Sequence, residues 1–362
     1  MSLDEEFSRI SLNVFEQLKE TTKDEDWNSA FETLKIYDGK LSSDFFVLGL
    51  NSFFAKYYYR KNDFENAEKF ILRYIGLMEN KVDLNSEEIQ EFHRFYSMLG
   101  FAKSKNEDLE GAFEAFKKSI MTLGLKQQKI ANDNYYYCYR KIDTFLLQNL
   151  SNRDITVASP SVFNDPVDCP FFPIMDARSD IFDTTAAKKA YGYFKVGCFV
   201  CNKNLSGRVK NENALPEYKN LLMWGHYANG HRGVCIKYKF NSEFLAPTQD
   251  CPTLILDVEY KDDYSLNNEK SKFRPQEFLA TKNSCWSYEN EVRLLHYDPN
   301  CNDNYKNLPL GDHGKVEAIY FGMKCTERDI NCIKKILGEE VAYYKMKQHN
   351  NDFFQLIAEV GS

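Results

Sequence analysis

Near position 290 the chain reads Trp286-Ser-Tyr-Glu289-Asn-Glu291-Val-Arg293-Leu-Leu, two carboxylates two residues apart followed by an arginine. On a β-strand, alternate residues share a face, so Glu289, Glu291 and Arg293 would line up while Val292 and Leu294 turn the other way. Such a row serves either as a solvated face or as a carboxylate pair lining a cleft, with Arg293 keeping one carboxylate ionised. Upstream, Trp224-Gly-His226-Tyr227-Ala-Asn-Gly-His231-Arg-Gly crowds two histidines, two aromatics and three glycines ahead of a strand at Val234–Phe240. Trp224, His226, Tyr227 and His231 have the chemistry to bind a ligand, stack a nucleobase or nicotinamide, or relay a proton. The plainer alternative is a buried His226 bonded to backbone, with Trp224 in the core. Earlier still, Phe163-Asn164-Asp165-Pro166-Val167-Asp168 forms a proline-fixed turn that presents Asn164 and Asp168 beyond a strand at 155–158.

Metal chemistry is not indicated. Cys198 and Cys201 have C-x-x-C spacing, but they lie in a strand-like run, where residues three apart face opposite ways, and no second pair completes a zinc site. His226 and His231 have no acidic third ligand nearby. No glycine-rich dinucleotide fingerprint, P-loop, Gly-x-Ser-x-Gly or His-Glu-x-x-His is present.

The elements that must position these residues fall into two textures. Over 126–362, short β-like runs alternate with Asn, Asp, Gly and Pro. An aromatic run ends in Arg140, a short helix covers 145–150, strands follow at 155–158, 195–201, 234–240 and 318–321, then a helix at 326–337 and a strand from Val341. This predicts an α+β domain with a mostly antiparallel or mixed sheet. Over 1–125 the pattern is all-α: Asp26-Trp-Asn-Ser-Ala30, Asp63-Phe-Glu-Asn-Ala67 and Asp108-Leu-Glu-Gly-Ala112 repeat one motif, each opening a run of helical period. Asp63 and Asp108 suit helix N-caps, as do Ser43 and Asn85. The whole is therefore read as an α+β multidomain chain.

Composition agrees. Of 362 residues, 43% are hydrophobic and 27% charged, the profile of a folded rather than a disordered chain. The net charge of −7 sits entirely in residues 1–125, which hold 16 basic and 23 acidic side chains, while the remainder balances. That disfavours nucleic acid as a partner. No apolar run approaches the ~20 residues that span a bilayer, and Met1 to Arg9 lack a signal peptide's apolar region. A cytoplasmic location follows as the expectation, with the ten cysteines as reduced thiols.

The paired helices with small residues at Ala55 and Ala67, and at Gly100 and Ala112, resemble degenerate tetratricopeptide repeats, which implies a protein or peptide partner on the helical region. In the second part, the strand ending in Arg140, the Phe163-Asn-Asp-Pro-x-Asp168 turn, Trp224-x-His-Tyr227 with the following His231, and Trp286-x-x-Glu-x-Glu-x-Arg293 together resemble a bacterial family of unknown function. That family is recognised by Phe-Asn-Asp-Pro and Trp-Ser-His-Tyr signatures; Gly225 stands here where its serine would. The order of Arg140, His226 or Tyr227, and Glu289-x-Glu291 is also similar to ADP-ribosyltransferases. This second resemblance implies NAD as cofactor or substrate: Arg140 binds it, His226 and Tyr227 line the nicotinamide side, Glu291 is the catalytic carboxylate and Glu289 activates the acceptor. A toxin or anti-phage effector is the implied role. Two alternatives stay open: a non-catalytic sensor that binds a small ligand or nucleotide, and a hydrolase using Glu289 and Glu291.

Overall fold

The computed structural model describes residues 2–124 except 20 and 22, 133–170 except 166, then 176, 183–204, 207, 209–210, 215–241, 244, 253–263, 279–352 and 354–360. The 125/126 division and Pro166 lie outside these residues. The chain divides into two compact units, one comprising Met1–Leu123 and Met175–Tyr191, the other Gly124–Ile174 and Gly192–Ser362.

The first unit is all-α: α1 (Leu3–Lys19), α2 (Asp24–Leu34), α3 (Asp44–Arg60), α4 (Phe64–Glu79), α5 (Ser86–Lys105) and α6 (Leu109–Gly124). The connections 61–63, 80–85 and 106–108 are short enough to lay consecutive helices antiparallel. Caps start them as the sequence requires. Asp63 accepts from the Asn66 N–H at 3.2 Å and Asp108 from Gly111 at 2.9 Å, while Asn85 forms a capping box with Glu88. Ser43, by contrast, occupies the cap position of α3 without a side-chain bond. Aromatic stacking dominates the core, with Tyr74 on Phe95 at 3.8 Å and Tyr58 on Phe70 at 5.5 Å, around the fully buried Ala55 and Ala67.

Gly100 shows why a small residue sits there. A methyl group added to it would lie 2.7 Å from the Phe116 ring, which is itself fully buried. Gly100→Ala is expected to destabilise this unit by about 1–3 kcal/mol through overpacking, read as a lower urea midpoint at unchanged m-value.

The second unit is built on a mixed, mostly antiparallel sheet. Its chain runs β1 (Tyr136–Arg140), α7 (Thr144–Asn152), β2 (Asp154–Ala158), a helix α8 (Thr185–Tyr191) that belongs to the first unit and packs there on α5, β3 (Phe194–Val200), α9 (Leu221–His226) and β4 (Val234–Phe240). Then come β5 (Thr253–Asp257), β6 (Glu259–Lys261), β7 (Thr281–Asn283), β8 (Glu291–Tyr297), β9 (Tyr305–Pro309), β10 (Gly314–Phe321), α10 (Glu327–Leu337), β11 (Ala342–Gln348) and β12 (Leu356–Val360). The sheet order is β12-β11-β10-β4-β1-β3-β2-β9, with β8 pairing both β3 and β5. Among these pairs only β10–β11, joined through α10, and the small ribbon β6–β7 are parallel. Alternation along β1 and β4 sends Tyr136, Val234, Ile236 and Phe240 to one core and Tyr137, Tyr139 and Cys235 to another, on the opposite face. No helix among the described residues is long and apolar enough to cross a membrane.

Candidate functional site

The sheet opens where β1 and β3 part. They share one register pair, Tyr137↔Val200, and β2 meets β3 at Ala158↔Val196 alone. Between these points lies a cavity of about 400 Å³, inside the ~300–1,000 Å³ of ordinary ligand pockets. Arg140, Asn164, Asp168, His226, Tyr227, Glu289 and Glu291, which the sequence spreads over some 150 positions, all line it, and Lys282 joins them.

Arg140 is the last residue of β1, registered against Val234 of β4. Its seat depends on Gly233, where a side chain would collide with the Arg140 carbonyl at 2.2 Å. The Arg140 guanidinium reaches the Cys138 thiol, and among the described residues no carboxylate pairs with it. A half-buried guanidinium facing a cavity, with no carboxylate partner among the described residues, has the chemistry to meet an anion.

Opposite lies a cluster of five charged side chains, each at most 6% exposed. Arg293, wholly buried, donates to Glu291 through Nε at 2.9 Å and Nη2 at 3.3 Å, to Asp168 at 2.6 Å and to the Leu279 carbonyl at 2.8 Å. The Phe163 ring packs against its guanidinium, 5.8 Å from centroid to carbon. The Phe-Asn-Asp-Pro-x-Asp turn and the Glu-x-Glu-x-Arg run are thus two halves of one structure, joined by this arginine. Lys282 on β7 donates to Glu289 at 2.7 Å and Glu291 at 3.2 Å, and stands 3.4 Å from Asp168. The Trp286 ring lies 5.1 Å from its ammonium. Glu289 also accepts from the Tyr227 hydroxyl at 2.7 Å.

The expected arrangement of Glu289, Glu291 and Arg293 on one strand face needs correction. Glu289 ends a 3₁₀ segment, Ser284–Glu289, and Asn290 then adopts a left-handed conformation, φ 45°, before β8 begins at Glu291. Asn290 tolerates this conformation as few residues do. It is held there by its own bond to the Ser287 carbonyl and by the Cys201 N–H donating to its carbonyl. Only Glu291 and Arg293 share the strand. Glu289 reaches the same lysine from the turn. Nor is the face solvated: Glu289 and Glu291 are 3% exposed.

The two carboxylates differ electrostatically. Burial pushes Glu289 above its ordinary value, with Lys282 opposing and Glu291 adding to the rise. For Glu291 burial acts in the same direction but is overcome by Arg293 and Lys282, which hold it at about 2. Two carboxyls on one ammonium with acidities driven apart are the arrangement by which enzymes divide proton-carrying from charge-stabilising work. Cys198 opens onto the cavity and hydrogen-bonds to Glu291, whereas Cys201 turns into the opposite core and bonds the Lys203 carbonyl.

Three sequence candidates do not line the cavity. Trp224 is fully buried, its indole N–H donating to the Tyr218 carbonyl at 2.9 Å. His231 stacks on that indole at 5.8 Å, and its left-handed backbone helps close the end of α9, the N–H donating to the Trp224 carbonyl. Arg293 acts from behind the wall. Nothing in the sequence marks Lys282 or Tyr260, whose hydroxyl oxygen accepts the Glu291 N–H at 2.8 Å. Neither has a spacing that ties it to the carboxylates, since both arrive through the β6–β7 ribbon.

The C-terminal unit is thus an α+β domain with a charged cavity at a split in its sheet. A family described as a protein of unknown function (DUF2971) matches residues 223–294, from α9 into β8; that span holds His226, Tyr227, Lys282, Glu289, Glu291 and Arg293. No curated protein and no solved structure significantly matches the chain.

Proposed function

We propose that the C-terminal unit cleaves NAD at the nicotinamide–ribose bond, transferring ADP-ribose to water or to another acceptor. The observation that carries this reading is the convergence of Arg140, His226, Glu289 and Glu291 on one cavity. The Arg140 guanidinium, with no carboxylate partner among the described residues, suits a pyrophosphate. The ionised carboxylate of Glu291 suits the oxocarbenium-like ribose that forms as nicotinamide leaves, and His226 and Tyr227 suit the nicotinamide side. The helical hairpins, tetratricopeptide-like in outline, would then bind a protein or peptide that is target or regulator.

The test is titration calorimetry with NAD and mass spectrometry of the nucleotide, on wild type and Glu291→Gln. Wild type is expected to bind NAD and release nicotinamide. The variant should bind within a few-fold of wild type but turn over about 10²- to 10³-fold more slowly, as when one charge-stabilising group is lost. No heat and no nicotinamide from the wild type would end the proposal.

A second reading is favoured by one observation: both Glu291 oxygens are already engaged by Arg293 and Lys282. A carboxylate that only braces the pocket wall belongs to a ligand-binding sensor. In that case wild type and Glu291→Gln bind the same nucleotide, and neither consumes it.

A further inference from the structure

We infer that Tyr227 is a proton relay between the cavity and Glu289, and so takes part in the chemistry instead of only lining the nicotinamide side. This rests on the NAD-cleaving reading above and assigns its proton path.

The geometry carries the assignment. Glu289 is 3% exposed and both of its oxygens are occupied, one by the Tyr227 hydroxyl at 2.7 Å and the other by the Lys282 ammonium at 2.7 Å. Each oxygen keeps a further acceptor site, but so little of the carboxylate is open that the Tyr227 hydroxyl and the Lys282 ammonium are its nearest polar neighbours toward the cavity. Lys282 is spent on carboxylates, contacting Glu289, Glu291 and Asp168. Tyr227 is half-buried, lines the cavity, and donates its single proton to Glu289; among the described residues no group donates to its oxygen. A phenol whose proton is directed at a base and whose lone pairs remain open is placed to take a proton from one side and pass its own to the other. Glu291 cannot take this part, being gripped along both oxygens by Arg293.

The step balances with water as acceptor. As the C1′–N bond breaks, its electron pair leaves with nicotinamide, which departs neutral. The water oxygen bonds to C1′ and its proton moves to the Tyr227 oxygen, while the Tyr227 proton moves to Glu289 Oε1. Glu289 ends as the neutral acid and returns the proton to solvent before the next turnover. The groups facing Glu289 suit that cycle. Lys282 holds the ionised form, and Glu291 favours uptake of the proton. Tyr227 donates to the ionised form, and the hydroxyls of Tyr260 and Tyr288 feel its charge. Burial gives the carboxyl a raised affinity for the proton.

The test is Tyr227→Phe, in the full chain, with two readouts. The first is nicotinamide release from NAD across pH. The variant should bind NAD within about 3-fold of wild type and turn over at least 30-fold more slowly. It should also lose the acidic limb of the pH profile that Glu289 protonation creates, and Tyr227→Phe/Glu289→Gln should be no slower than Glu289→Gln alone. The second readout needs no turnover: carbon-13 carboxylate NMR of the ligand-free protein, with Glu289→Gln identifying the signal. Loss of the phenol's bond should move the Glu289 titration to higher pH. A variant with the wild-type rate and pH profile overturns the relay while leaving NAD cleavage standing. If wild type does not cleave NAD, the proposed function falls, and an unmoved Glu289 titration in Tyr227→Phe overturns the relay on its own.

Discussion

Arg293→Met is expected to cost the C-terminal unit about 3–5 kcal/mol, the range for removing one partner of a buried ion pair. Arg293 is wholly buried and is the principal cation for both Asp168 and Glu291. Methionine fills much of its volume but leaves two carboxylates with only Lys282, which Glu289 already engages. Urea unfolding followed by tryptophan fluorescence would read the loss, since Trp224 and Trp286 both lie in this unit. A deficit under about 1 kcal/mol would mean that the cluster contributes little to the fold.

The deficit should also depend on pH with a definite sign. Glu291 is held at about 2 in the folded protein against its ordinary 4.5. A group with a depressed folded value stabilises fully above its unfolded value, and that stability is lost as pH falls through the folded one. The gap corresponds to roughly 3 kcal/mol, present at neutral pH and withdrawn between about 4.5 and 2. In Arg293→Met most of that contribution is already gone. The stability curves of wild type and variant should therefore converge through this window and stay parallel above it.

The second large effect is on binding. On the proposed NAD-cleaving reading, Arg140→Ala should weaken NAD about 10- to 100-fold, the ~1.5–3 kcal/mol of hydrogen bonds to a charged group. The fold should lose under about 1 kcal/mol, because the guanidinium has no ion pair to break among the described residues. Arg140→Lys should recover the charge but not a planar two-point grip, so its affinity should fall between alanine and wild type. Calorimetry beside thermal unfolding separates the two effects. Equal affinity in all three proteins would place the anion elsewhere in the cavity.

Much of this protein was legible in its residues because it is local. The helix period, the caps at Asp63, Asn85 and Asp108, and the alternation in 136–140 and 234–240 are decided within a few positions, so they fix elements wherever those elements finally pack. The α+β order follows from them. Strands β5, β6, β7, β9 and β12 carry no such local mark; β9, for one, is largely exposed, with little apolar pattern.

The site divides along the same line. Asn164, Asp168, His226, Glu289 and Glu291 could be picked out by residue type and company, and the structure brings them to one cavity. What the sequence could not decide is how they are charged, since acidity in a folded protein is set by burial and neighbours. Glu289 and Glu291 look alike in the chain. They part because Asn290 turns the backbone between them, Arg293 grips only one, and Lys282 arrives from a ribbon that neither belongs to. His231 and Trp224 looked equally promising yet became the closure and core of α9, because stacking against a buried indole fixes a histidine as firmly as a ligand would. Residue identity sets which side chains are available for chemistry. Which of them meet, which stay ionised and which face the cavity follow from the folded contacts, because desolvation and Coulomb contact act through space and not along the chain.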